Sequence, residues 1–174
     1  FFLARTLGFD NINMDLIVGL PGEGQPEVEH TMREITALDP DSITVHSLAV
    51  KRASRLRMFR DEYREMTFTN NRMIMDMAAS YAMRAGQSPY YLYRQKNMAG
   101  NFENVGYSKE GKAGIYNILI MEEVQSILAL GAGASTKLVL ANDRIERIEN
   151  VKDIRSYIDR IDEMIERKRS GIHA

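Results

Sequence analysis

One carboxylate stands out before anything else in the chain. Asp15 lies in the run 11–20, NINMDLIVGL, where apolar residues dominate both sides of the alternation expected for a strand. A charge in such a run costs free energy unless it is paired or hydrogen-bonded. Alternation puts Asn13, Asp15, Ile17 and Gly19 on one face and Ile12, Met14, Leu16 and Val18 on the other. Two uses of the acid stand level on the residues alone. It is either a structural acid tied to backbone or arginine, or a ligand-binding acid accepting from sugar hydroxyls or an amine. The second use suits the carboxyl end of a parallel strand, where α/β architectures place their sites.

The other candidates carry weaker signals. Gly19-Leu20-Pro21-Gly22-Glu23-Gly24 has no Lys-Ser/Thr after its glycines and lacks GxGxxG spacing, so it reads as a plain βα turn. His46, between Val45 and Ser47, reads as a core or interface histidine with no visible partner, not as a general base. Ala49, small and at the end of the second strand, could floor a flat ligand. Gly131-Ala132-Gly133-Ala134-Ser135 reads as a tight turn that could also let a ligand approach the backbone. Tyr90, Tyr91, Tyr93 and Tyr107 could line a pocket, or simply pack on a sheet.

Composition removes whole classes of chemistry. The 174 residues include no cysteine, which rules out disulfides, thiol catalysis and any Cys-ligated zinc or iron–sulfur cluster within this stretch. The three histidines, His30, His46 and His173, are too scattered for a histidine-rich metal site. Lys and Arg number 23 against 24 Asp and Glu, a formal charge of -1, which argues against a nucleic-acid arm or a polybasic membrane surface. No apolar run approaches the roughly 20 residues of a spanning helix, and no signal-peptide pattern opens the chain. The expectation is a soluble, cytoplasmic globular protein.

The elements that must position these residues follow from pattern and punctuation. Phe1 to Gly8 reads as the last two turns of a helix closed by glycine, too short to stand alone, so the chain is expected to be the C-terminal part of a longer protein. Residues 11–20 predict a parallel strand buried on both faces. Pro26 opens a helix whose stripe is Val28, Met32, Ile35 and Leu38, and Asp39-Pro40 ends it. Ser42 to Ala49 predicts the next strand, completing a right-handed βαβ unit.

After Val50 comes a basic, irregular connection, then a helix from Thr69 to Arg84 striped by Met73, Met77 and Tyr81, with methionines filling core gaps. Tyr90 to Arg94 predicts a strand. Asn97 to Gly114, rich in Gly and Asn, predicts a long loop or hairpin region. Ile115 to Met121 and Ser126 to Leu130 predict strands, with a helical turn the alternative at Glu122 to Gln125. Segments 137–141 and 144–149 predict a hairpin around Asn142-Asp143. Val151, Ile154, Ile158, Ile161 and Ile165 predict an amphipathic helix with Glu163 and Arg167 paired at i,i+4. The domain reading is 1–50, 51–88 as a helical connection, and 89–174.

Three stretches resemble the radical S-adenosylmethionine (SAM) enzymes, in particular those like oxygen-independent coproporphyrinogen III oxidase. Asn13-Met14-Asp15-Leu16-Ile17-Val18-Gly19-Leu20-Pro21-Gly22 resembles that family's N-x-D-L-I-x-G-L-P strand and turn. Leu38-Asp39-Pro40-Asp41-Ser42-Ile43-Thr44-Val45 is similar to its L-x-P-D-x-I-S-x strand entry. Leu130-Gly131-Ala132-Gly133-Ala134-Ser135 is similar to its L-G-x-G-A-x-S turn, with Thr136 where the pattern has serine. The wording of 46–52, 93–97 and 100–107 resembles the coproporphyrinogen dehydrogenase branch of anaerobic bacteria.

The resemblance implies an α/β fold: the C-terminal half of a partial (β/α) radical SAM barrel (1–50), followed by a smaller α+β C-terminal domain covering substrate. It implies that Asp15 and Ala49 contact bound SAM, with Ile17 an apolar contact on the adenine side. It implies a 4Fe-4S cluster held by a CxxxCxxC loop upstream of Phe1, so the chain alone is expected to be inactive. The implied substrate is a tetrapyrrole, coproporphyrinogen III, whose propionates are oxidatively decarboxylated to vinyls. Lys51, Arg52 and Arg55 are candidates for its carboxylates, beside the equally good reading of a solvated basic stretch. Strand edges left without partners are expected to favour a dimer. Two other classes remain. Haem chaperones share the fold, but their H-N-x-x-Y-W segment corresponds here to Gly100–Asn104, without His, and the chain has no Trp. An unrelated α/β domain with a structural Asp15 is the third.

Overall fold

Local chemistry sets the first elements. The computed structural model describes residues 1–49, 55–58, 60–63, 70–93 and 102–172. Helix α1 (Phe2–Thr6) ends before Gly8, and its Arg5 reaches Asp41 Oδ2 at 2.7 Å. Strand β1 (Asn13–Val18) leads into helix α2 (Gln25–Ala37). Glu27 fixes the start of α2 by accepting the Gly24 N–H at 2.8 Å, and Pro26 sits in the first turn, where its missing N–H costs nothing. That bond to Gly24 holds the Glu27 carboxyl below its ordinary range. Strand β2 (Ser42–Ser47) then pairs in parallel with β1, completing the expected βαβ unit.

Helix α3 (Arg55–Met58) precedes α4 (Arg72–Arg84), which Asn71 caps by accepting the Ile74 N–H at 3.0 Å. Strands β3 (Ser88–Tyr93) and β4 (Asn104–Ser108) complete a four-stranded sheet of order β1-β2-β4-β3. β4 runs antiparallel to both neighbours. The Gly- and Asn-rich stretch expected as a long loop or hairpin region therefore holds an inner strand, antiparallel to β3.

Two compact units divide the chain at Phe1–Gly114 and Ile115–Ala174, whereas the composition change suggests a break after residue 88. The physical reason is pairing: β3 and β4 complete the sheet that β1 and β2 begin.

The core of the first unit lies on one face of that sheet. Leu16, Val18, Ile43, Val45 and Tyr107 meet Val28 and Met32 of α2 and Ile74, Ala78 and Ala82 of α4. The buried stripe of α4 is thus 74/78/82, one residue on from the expected 73/77/81. Met73 and Met83 are exposed, while Met75 and Met77 pack partly against the core. The expectation that β1 is buried on both faces is overturned: Asn13, Asp15 and Ile17 are exposed, and β1 is closed on the face under α2 and α4.

The second unit contains α5 (Ile115–Met121), β5 (Ser135–Val139), β6 (Ile145–Glu149), α6 (Ile154–Asp159) and α7 (Ile161–Ile172). The β5–β6 hairpin turns at Asn142 (φ 59°), as expected. Two strand expectations fail. Residues 115–121 form a helix, and 126–130 contribute only a single bridge, Ile127 to Lys137. A short apolar run satisfies either pattern, and the sheet partners decide. The expected continuous C-terminal helix breaks at Arg160 (φ -115°). Met164, not the isoleucine stripe, is its buried residue, and Ile154 and Ile158 are exposed. The Glu163–Arg167 pair forms at 2.6 Å. Among the described residues no helix is long and apolar enough to cross a membrane.

Candidate functional site

The open face of the sheet gathers polar groups in register. Asp15 of β1 lies beside Thr44 of β2, Thr44 beside Gly106 of β4, and Gly106 beside Tyr91 of β3. One step further along, Ile17 lies beside His46. Paired residues in a sheet share a face, so this row crosses all four strands, exposed at Asp15 and Ile17 and buried at Thr44 and Gly106.

Its contacts form a chain. Asn13 Nδ2 donates to Asp15 Oδ1 at 2.6 Å, and Thr44 Oγ1 donates to Asn13 Oδ1 at 3.3 Å. Burial pushes the pKa of the Tyr91 phenol above its ordinary value, and the nearby Tyr90 and Asp15 add to that. On the other side His46 Nε2 stands 3.7 Å from Asp15 Oδ1, an ion pair when the imidazole is charged and too long for a hydrogen bond. Asp15 is 63% exposed and Ile17 46% exposed, an accessible acceptor beside an apolar side chain. Such a pair can accept hydroxyls or hold a cation while covering a flat ring. Among the described residues no proton-transfer pair is in hydrogen-bond contact there, so the surface is suited to binding and orientation.

Sequence reasoning placed Asp15 and Ile17 on one face, and the structure does so. Ala49 lies just beyond β2, half-buried; the strand ends at Ser47, so alternation does not assign it a face. The end of β2 is fixed there by Leu48 N–H to Val18 O at 2.9 Å and by Ser47 N–H to Asn104 Oδ1 at 2.9 Å. Lys51 and Arg52 lie outside the described residues, and of Arg55 only the helical backbone is described. His46 was expected to stand apart from any carboxylate, yet β1–β2 pairing brings it to Asp15. Thr44, Tyr91 and Gly106 as one row were missed. The usable signal was the alternating Val105-Gly106-Tyr107, which reads as a strand once Gly106 is treated as a close-approach residue rather than a loop former.

The glycine turn of the second unit is satisfied internally. Gly131 N–H donates to the Tyr157 hydroxyl at 3.2 Å, and Asn150 Nδ2 donates to Gly131 O at 2.7 Å. Asn150, itself buried, also accepts from Lys168. These bonds make 131–135 a structural turn. Among the described residues no group of three or more His, Asp or Glu could hold a metal ion.

Set against known proteins, the chain is 44% identical over 169 residues to the oxygen-independent coproporphyrinogen-III oxidase-like protein HemZ of Bacillus subtilis. That match takes in 97% of this chain and 34% of HemZ, so the chain spans about a third of that relative's length. It is 41% identical over 51 residues to the heme chaperone HemW of Bacillus subtilis, covering 29% of this chain and 14% of HemW. In structure it is similar to the radical SAM enzyme coproporphyrinogen III oxidase (HemN) of Escherichia coli, with a TM-score of 0.58 and 16% identity over 92% of this chain and 36% of that one. No family model matches. The resemblance carried by the motifs is therefore shown along nearly the whole chain, and its mixed α/β fold is one that a radical SAM enzyme contains.

Proposed function

We propose that this chain is part of a radical SAM oxidoreductase of tetrapyrrole metabolism, and that the open face of β1 and β2 binds S-adenosylmethionine. The observation that carries the reading is the joint exposure of Asp15, in the middle of a parallel strand, and Ile17, next to its carboxyl end, on one face. A carboxylate there accepts from ribose hydroxyls or pairs with the ligand's cationic end, and Ile17 covers the adenine side. Ala49, just past β2, adds a small apolar contact. In this reading β1 and β2 belong to the closing half of a partial (β/α) barrel whose remaining strands lie outside this chain.

The residues present fit SAM and do not fit a 4Fe-4S cluster. The chain has no cysteine, and no metal-binding group occurs among the described residues. Cluster ligands would come from elsewhere in the longer protein, and this chain alone would be inactive. SAM, when bound in such enzymes, supplies the agent that abstracts hydrogen. The task of this chain's residues is to hold and orient it. The substrate class that fits the relatives' names is coproporphyrinogen III, its propionates decarboxylated to vinyls in a cytoplasmic enzyme, with Lys51, Arg52 and Arg55 as candidate carboxylate partners.

The test is Asp15→Asn in the full-length, cluster-containing protein. Loss of a charged acceptor should weaken SAM about 10- to 100-fold in equilibrium binding. Unchanged affinity would remove the reading. A second reading, a haem carrier, is favoured by the match to HemW. Haemin titration separates the two: a tight stoichiometric Soret shift marks a carrier, and anaerobic turnover of coproporphyrinogen III with SAM and reductant marks the enzyme.

A further inference from the structure

His46 reads in the sequence as a core or interface histidine, and the fold gives it another setting. The parallel register places it directly opposite Ile17, with Asp15 two residues back along β1 on the same face. Its Nε2 stands 3.7 Å from Asp15 Oδ1, and 31% of its side chain is exposed, so solvent and ligand can both reach it. The same Asp15 oxygen accepts from Asn13 Nδ2 at 2.6 Å, a neutral amide that leaves the carboxylate its charge. The imidazole is therefore close enough to attract Asp15 when charged, and too far to hydrogen-bond it as it stands. The groups around it are few in kind. β1 contributes Asp15, and β4 contributes the amide of Asn104, whose Oδ1 accepts the Ser47 N–H at 2.9 Å. β3 adds Tyr91 and Tyr93, which pair with Gly106 and Asn104; phenols ordinarily carry no charge near neutral pH. Helices α2 and α4 pack on the opposite face. Among the described residues, Asp15 is the charged group paired with His46.

We propose that His46 is a binding residue of the Asp15 site, competing with the ligand for that carboxylate and so tying affinity to pH. Histidine is the side chain that ordinarily changes charge between pH 5 and 8. Neutral, the imidazole leaves Asp15 its full charge and stands beside Ile17 as a second contact for a flat ring. Protonated, it draws on the carboxylate that the ligand's hydroxyls or cationic end must use, and it repels the sulfonium and ammonium of S-adenosylmethionine. The ligand therefore binds the neutral form better, and by linkage its binding expels protons. Both side chains are partly in water, where such a pair changes affinity by about 2- to 5-fold. This deepens the SAM reading and rests on it, since the competition exists only where Asp15 holds the ligand.

The competition is tested in the full-length, cluster-containing protein by calorimetric titration with S-adenosylmethionine from pH 5.5 to 7.5, with thermal melting at each pH as the control for folding. The parent's affinity should rise about 2- to 5-fold across that range. Titration in buffers of different ionisation enthalpy should show protons released on binding. His46→Gln should flatten the profile and abolish the release, whatever its affinity at a single pH. Asp15→Asn should bind more weakly and lose the same pH dependence, because it removes what the two cations compete for. A flat parent profile, or a His46→Gln profile with the parent's slope, overturns the assignment of His46, while a weakened Asp15→Asn leaves the SAM reading standing. Undiminished binding by Asp15→Asn overturns both. If His46→Gln fails to fold, His46→Phe keeps a flat ring without the charge and is held to the same outcome.

Discussion

Under α2 and α4, the sheet presents Leu16, Val18, Ile43, Val45 and Tyr107, all buried. On its other face the alternate residues of the same strands are Asp15, Ile17, Thr44, His46 and Gly106, most of them polar or without a side chain. The closed face contributes stability through apolar area removed from water, about 25 cal/mol per Å². The other face contributes little of that and leaves Asp15 and, in part, His46 accessible while Thr44 is buried. Because side chains alternate, one short strand supplies both an anchor and a site, and the anchored face sets the position of the site residues.

Substitutions should separate the two faces. Ile43→Ala, on the closed face, should destabilise the protein by about 2–5 kcal/mol in chemical denaturation, from lost transfer free energy and the cavity left behind. Asp15→Asn should stay within about 0.5 kcal/mol of the parent in the same assay. A stability loss for Asp15→Asn rivalling that of Ile43→Ala would end the division of labour. Gly106→Ala falls between, at about 1–3 kcal/mol, because its Cβ overpacks against the Tyr91 ring; Tyr91→Ala in the same chain should return part of the loss.

Acid sharpens the comparison by acting away from the open face. At Asp41, burial alone would raise the pKa, but the Ile12 N–H and Arg5 outweigh it and hold the carboxyl below its ordinary range. Glu163, clamped by Arg160 and Arg167, is held at about 2. Both folded values are depressed, so both contributions are present above the unfolded values and disappear as pH falls through the folded ones. Melting temperature should therefore fall from about pH 5 towards pH 2, and Glu163→Gln should flatten the lower part of that curve. The smallest effect belongs to Met73→Gln: the side chain is exposed, and denaturation should register a change within about 0.5 kcal/mol.

How much of this was legible varies by element. β1, α2 and β2 were readable because Pro21-Gly22, Pro26 and Asp39-Pro40 punctuate a strong change of period. The α4 stripe was misplaced by one residue, since methionines are as compatible with its exposed side as with its buried one. β4 was hidden by Gly106 and Asn104, which look like loop chemistry locally and serve ring packing and strand anchoring globally. The segment 115–121 carried no periodicity that distinguishes helix from strand, and Arg160 gave no local sign that the isoleucine repeat would break.

By itself the sequence determined which residues can share a face and where the chain must turn. Alternation and 3.6-residue spacing are properties of the backbone, and Pro and Gly restrict it locally. It therefore placed Asp15 with Asn13 and Ile17, and excluded a cluster bound by this chain. Only the tertiary structure decided which face would be covered and which strands would be neighbours. Pairing of β2 with β4 joins residues 42–45 to 105–108, and no local preference encodes a contact across that separation. That pairing turns a loop-like glycine into the floor beneath Tyr91, and the parallel β1–β2 register turns an isolated histidine into the neighbour of Asp15.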